Sequence, residues 1–150
     1  MKIHNTNGLN EILKFCKTND ILTIADEVMT GFGKTGRNFA SDFIETKPDI
    51  ICLSKALTGG LVPLAITSCT EKIYEAFLSN EMAKGFFHCH TYSANPIACA
   101  AANAAIELLQ TDEIQQNIKT ISESHKQFQE QISKHPKVKT ARSQLSLIHI

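Results

Sequence analysis

Apolar residues in this chain gather into short unbroken runs separated by amphipathic stretches. The runs at 21–25, 50–53 and 64–67 do not alternate with polar positions, which is the pattern of strands covered on both faces in an α/β sheet. Leu9, Ile12, Leu13 and Cys16 recur at i, i+3, i+4 and i+7 upstream of the first run and predict a helix. A short helical stretch carrying Phe39 and Phe43 separates the first two strands, and Pro48-Asp49 stops it. Gly59-Gly60 supplies a tight reversal, so the strand near 63–69 is expected to return antiparallel as a sheet edge. A helix near 70–79 should follow, with Thr70 as N-cap and Glu71 in its first turn.

Two more helices complete the pattern. Pro96 suits a first helical turn, where a missing N–H costs nothing, and Ala98, Ala100, Ala101, Ala104 and Ala105 leave room for close packing. A second helix, capped by Thr111 or Asp112, carries Ile114, Ile118, Ile121, Phe128 and Ile132 along one stripe and ends before His135-Pro136.

Composition narrows the function classes. A chain of 150 residues with 43% hydrophobic content can form a domain with a core. Fifteen basic and fifteen acidic side chains cancel, which argues against nucleic acid or a membrane surface as partner. No apolar run reaches the length of about 18 residues needed to span a membrane. Met1-Lys2-Ile3-His4-Asn5 lacks the apolar segment of an export signal, so a cytoplasmic location is expected. The five cysteines form no C-x-x-C pair and are odd in number, against a disulfide framework or zinc knuckle; most are expected to be reduced and buried.

Candidate chemistry sits where the strands run out. The first run ends in Asp26-Glu27, and Lys55 follows the second within Ser54-Lys55-Ala56-Leu57-Thr58-Gly59-Gly60. A lysine can hold the aldehyde of pyridoxal 5'-phosphate (PLP) and later carry a proton, and a carboxylate can keep the pyridine nitrogen protonated. Ligands of open α/β sheets bind at such strand ends, and the 29-residue spacing allows one crossover between neighbouring strands. The plainer alternatives are a solvated lysine and a strand-end turn or helix cap at Asp26-Glu27. Gly33-Lys34-Thr35 also resembles the end of a phosphate-binding loop of the P-loop kind, but the leading glycine would fall at Val28. His88-Cys89-His90 offers imidazole and thiolate to a metal, although three successive residues in extended chain chelate poorly.

Several motifs in order carry a family resemblance. Asp26-Glu27-Val28, Thr30-Gly31-Phe32-Gly33-Lys34-Thr35-Gly36, Pro48-Asp49-Ile50 and Ser54-Lys55-Ala56-Leu57 resemble the class III (ω-type) aminotransferases of PLP fold type I. Lys55 to Gly60 with Pro63-Leu64-Ala65, and His88 to Pro96, are most similar to the biotin-synthesis branch of that class. The resemblance implies part of an α/β large domain, with a mostly parallel sheet flanked by helices, and a homodimer with shared active sites. It implies Lys55 as the catalytic residue that carries PLP and meets substrate, Asp26 at the pyridine nitrogen and Val28 on one ring face. It implies His90 and Thr91 at the phosphate, the Thr hydroxyl reaching across the dimer. Cys89 stands where the family usually has Gly lining the substrate pocket, and Lys34 where Arg is usual. S-adenosylmethionine as amino donor and 8-amino-7-oxononanoate as acceptor are the implied substrates; another ω-aminotransferase acting on a different amine or keto acid is the alternative.

The same resemblance divides the chain. Residues 1–110 are expected to be part of the PLP-binding large domain, and 111–144 a helix leading toward a small C-terminal domain outside the chain. Leu145-Ser146-Leu147-Ile148-His149-Ile150 match a translated sequencing adapter and are expected to be read-through. Without the remaining family parts, the chain alone is expected to be inactive.

Overall fold

A computed structural model describes residues 4–89, 91–144 and 147–149. Helix α1 (Thr6–Thr18) starts at Asn5, whose side chain accepts from the Gly8 N–H at 3.1 Å and satisfies one of the amides left over at a helix start. Beyond its end Asp20 takes a φ of 53°, and the Ile21 N–H bonds back to the Cys16 carbonyl at 2.9 Å. This turn absorbs the start of the first apolar run. Strand β1 therefore spans only Ile24–Asp26, and Ile21 and Leu22 are exposed.

Strand β2 (Ile50–Leu53) lies between β1 and β3 (Ile66–Cys69), parallel to the first and antiparallel to the second. The sheet is mixed, and the expected return of the third strand is found. Gly59 and Gly60 make the reversal with φ of 63° and 85°, a region that glycine enters without a Cβ penalty. The crossover from β1 to β2 runs through a 3-10 helix at Ala40–Phe43, with Phe39 in the N-cap position. At the far end of the strands Asp49 accepts from the Thr23 N–H at 2.8 Å and the Thr23 hydroxyl at 2.7 Å. Those two bonds, the hydroxyl foremost, hold the Asp49 carboxyl below its ordinary range.

Coverage on both faces of the strands is not found. All four β3 residues are exposed, Ile24 is 66% exposed, and in β2 only Leu53 is buried. The principal contacts of the strands are with one another, and the helices add little cover to the sheet. The same openness overturns the expectation for the cysteines: Cys16 and Cys52 are half-buried, while Cys69, Cys89 and Cys99 are exposed.

Helix α2 (Glu71–Glu75) is shorter than 70–79, and Thr70 stands at its N-cap without a side-chain bond. Helix α3 (Pro96–Leu109) is capped by Asn95, which accepts from Ile97 N–H at 2.9 Å and Ala98 N–H at 3.3 Å. Of the two expected caps for α4 (Asp112–Ile132), Thr111 is the one used. Strands β4 (Arg142–Gln144) and β5 (Leu147–His149) form an antiparallel hairpin that the sequence pattern did not announce. Gln129 of α4 holds the hairpin, donating to the Ala141 carbonyl at 3.2 Å and accepting from Ser143 at 2.8 Å. Among the described residues no helix is long and apolar enough to cross a membrane.

Among the described residues the buried hydrophobic side chains are Leu53, Leu57, Ala98 and Ala102. The loop after β2 meets the alanine face of α3, where a Cβ on Gly59 would sit 3.8 Å from Ala105 Cβ.

Candidate active site

Parallel pairing sets Asp26 opposite Cys52, three residues before Lys55. Both candidate groups thus leave the sheet at the same end of adjacent strands. Asp26 is exposed, and its Oδ1 accepts from the Val28 N–H at 3.1 Å, a local turn that starts the next loop. Its Oδ2 has no partner among the described residues. Val28 is half-buried.

The loop after β1 is closed by Glu27, which is 2% exposed. Its carboxylate accepts from the Ala40 and Ser41 amides and from the Thr30 hydroxyl. Gly31 fits against it without a side chain, since an added Cβ would lie 3.0 Å from both the Glu27 carbonyl oxygen and Leu53 Cδ2. Further along, the Gly33 N–H bonds to the Asn38 carbonyl and the Gly36 N–H to the Gly33 carbonyl. Those two amides are spent inside the loop and do not serve a phosphate cradle of the P-loop kind.

Lys55 sits on an equally constrained segment. The Ser54 hydroxyl donates to the Leu64 carbonyl at 2.8 Å, the Thr58 hydroxyl donates to the Val62 carbonyl at 2.6 Å, and the Leu57 N–H bonds to the Ser54 carbonyl at 2.6 Å. Leu57 and Thr58 are buried while Lys55 is exposed. Among the described residues no hydrogen bond or ion pair occupies Lys55 Nζ. A free amine on a fixed loop beside a carboxylate with an open oxygen fits a cofactor having both an aldehyde and a basic ring nitrogen.

Other expected site residues are placed less directly. Cys89 and Thr91 are exposed, and His90 lies outside the described residues. Thr91 opens the turn before α3, in which Ala94 takes a φ of 57°. Residues 92–95 of that turn face Ser54 and 62–65 across a groove of about 700 Å³, although Lys55, Cys89 and Thr91 are not in its lining. His88 stacks obliquely near Phe86, ring centroids 5.9 Å apart. Among the described residues no cluster of three metal-ligating side chains occurs. Sequence reasoning passed over Ser54, Thr58 and Asn95 as site supports, and took Glu27 only as half of an acid pair. The buried amides that reveal its role are 13 and 14 residues away.

The class III aminotransferase family matches the chain over residues 1–150. The chain belongs to the class III aminotransferases. These are PLP-dependent enzymes, and the chain's mixed sheet with its helices is a part of their α/β fold. This class III segment is 50% identical to the adenosylmethionine-8-amino-7-oxononanoate aminotransferase of Synechococcus elongatus over 117 residues, which are 78% of this chain and 27% of that protein. The Staphylococcus aureus protein of the same name is 42% identical over 137 residues, 91% of this chain and 30% of its own. Among solved structures, the enzyme of that name from Methanocaldococcus jannaschii superposes with a TM-score of 0.84 at 36% identity, covering 93% of this chain and 33% of that one. A Bacillus anthracis aminotransferase gives a TM-score of 0.89 at 32% identity, with coverages of 97% and 33%. The chain thus spans a third or less of the length of these relatives.

Proposed function

We propose that this chain supplies the cofactor-holding strand ends of a PLP-dependent aminotransferase that moves the amino group of S-adenosylmethionine to 8-amino-7-oxononanoate, giving 7,8-diaminononanoate for biotin synthesis. The observation that carries this reading is the parallel register that brings Asp26 level with Cys52 and leaves Lys55 just beyond it. Relatives at 37% to 50% identity bearing the name of that enzyme support the substrate pair.

PLP, when bound, supplies an electron sink for the carbon that bears the migrating amine. Lys55 Nζ would hold the cofactor through its aldehyde and, when free, would be the base that carries the proton at the substrate carbon. The Asp26 carboxylate would keep the ring nitrogen protonated, and Val28 would pack against the ring. His90 and Thr91 bind the phosphate, Thr91 from the second subunit of a homodimer, and Cys89 lines the substrate pocket. Residues 1–110 belong to the cofactor domain and 111–144 lead away from it. The isolated chain lacks the rest of the site and is expected to show no turnover.

A chimera tests the assignment. The Synechococcus elongatus relative, with its matched segment exchanged for this chain's residues, is expected to form 7,8-diaminononanoate from S-adenosylmethionine and to lose that activity on Lys55→Ala. A folded chimera that accepts only other amino donors would overturn the substrate assignment in favour of another ω-aminotransferase.

A further inference from the structure

Glu27 separates Asp26 from Val28, two residues assigned to the cofactor, and it is anchored more firmly than either. Its Oε2 accepts from the Ala40 N–H at 2.6 Å and the Thr30 hydroxyl at 3.1 Å, and its Oε1 from the Ser41 N–H at 2.8 Å. Its own N–H donates to the Cys52 carbonyl at 2.9 Å, and its carbonyl accepts from the Gly31 N–H at 3.0 Å. A carboxylate this buried is tolerated only where donors replace its water. Three donors do so here, and among the described residues no cation pairs with it.

We infer that Glu27 is a positioning residue that sets the direction of Asp26 and Val28 by tying the end of β1 to the 3-10 helix at Ala40–Phe43. The inference rests on the cofactor reading above. Successive residues at a strand end point to opposite sides, so driving Glu27 inward turns Asp26 outward toward the strand-end site. Asp26 has one side-chain bond, to Val28 N–H, and that bond belongs to the same turn. Its direction is therefore inherited from the anchorage of Glu27. Glu27 is assigned no contact with the cofactor and acts only through its neighbour.

The test compares Glu27→Gln, Thr30→Val and Asp26→Asn in the chimera with the Synechococcus elongatus relative. Gln replaces one acceptor oxygen with a donor, which must then face the Ala40 or the Ser41 N–H, an amide that also donates. Thr30→Val removes one donor without stranding a buried amide. Two readouts are used: hydrogen exchange of the Val28, Ala40 and Ser41 amides without cofactor, and the absorption spectrum of PLP bound at Lys55, which senses protonation of the ring nitrogen. Glu27→Gln is expected to speed exchange at those amides by about tenfold, to leave PLP on Lys55, and to shift the spectrum in the same direction as Asp26→Asn. Thr30→Val is expected to do both to a smaller extent.

A residue with a merely structural role would speed exchange and leave the spectrum of the unsubstituted chimera. That result in Glu27→Gln overturns the inference, and in Thr30→Val it does so if Glu27→Gln does not fold. Absence of PLP on Lys55 of the unsubstituted chimera overturns the functional reading and the inference together.

Discussion

Replacing Gly31 with Ala measures how tightly the turn after β1 is closed. The new Cβ would lie 3.0 Å from the Glu27 carbonyl oxygen, 3.0 Å from Leu53 Cδ2 and 3.6 Å from Phe39 Cδ1. The carbonyl cannot swing aside alone, because it accepts the Gly31 N–H at 3.0 Å. Leu53 is 6% exposed and has little space to yield. Overpacking of this kind costs about 1–3 kcal/mol. In a domain of this size each kcal/mol moves the thermal midpoint by about 2–4 °C, so a fall of about 2–12 °C is expected by circular dichroism. Gly8→Ala is the control. A Cβ there meets nothing within 4 Å in the first turn of α1, and Ala is favoured over Gly in a helix by up to about 1 kcal/mol. Its midpoint should hold or rise. A Gly31→Ala midpoint equal to that of the unsubstituted chain, or an equal loss in Gly8→Ala, would refute the packing argument.

Asp49 makes stability depend on acid. Its carboxyl is held below the ordinary 3.8 by the Thr23 hydroxyl and then the Thr23 amide. A lowered folded-state pKa contributes stability that is present above the unfolded value and lost as pH falls through the folded one. Urea midpoints should therefore decline more steeply below 3.8 in the unsubstituted chain than in Asp49→Asn; parallel curves would contradict the clamp. Asn95→Ala removes the acceptor for the Ile97 and Ala98 amides and should cost about 0.5–2 kcal/mol in urea melts. No loss would show that solvent or neighbours replace the cap.

What the sequence revealed followed from local rules. The spacing of Leu9, Ile12, Leu13 and Cys16 gave α1, Pro96 gave the start of α3, and Gly59-Gly60 gave the reversal that turns β3 antiparallel. The apolar run at 50–53 marked β2 well because its pairing strands flank it on both sides. The run at 21–25 misled, since the left-handed turn at Asp20 consumes its first residues before the ladder begins. Continuous apolar runs also suggested two covered faces, but coverage depends on other elements and the runs cannot report it. The placement of the candidate residues divided in the same way. The position of Asp26 and Lys55 at neighbouring strand ends was legible because each follows an apolar run. Glu27 was not, because its donors come from amides beyond an intervening loop, and backbone amides leave no mark in sequence.

Reduction of bound PLP tests the central claim most directly. The chimera with the Synechococcus elongatus relative is incubated with PLP, treated with borohydride to make the linkage permanent, digested, and mapped by mass spectrometry. The account expects the adduct on Lys55 in preference to the exposed lysines such as Lys34, Lys47 and Lys84, reduced by Asp26→Asn and abolished by Lys55→Ala. An adduct spread evenly over exposed lysines, or concentrated at one of the others, would contradict it.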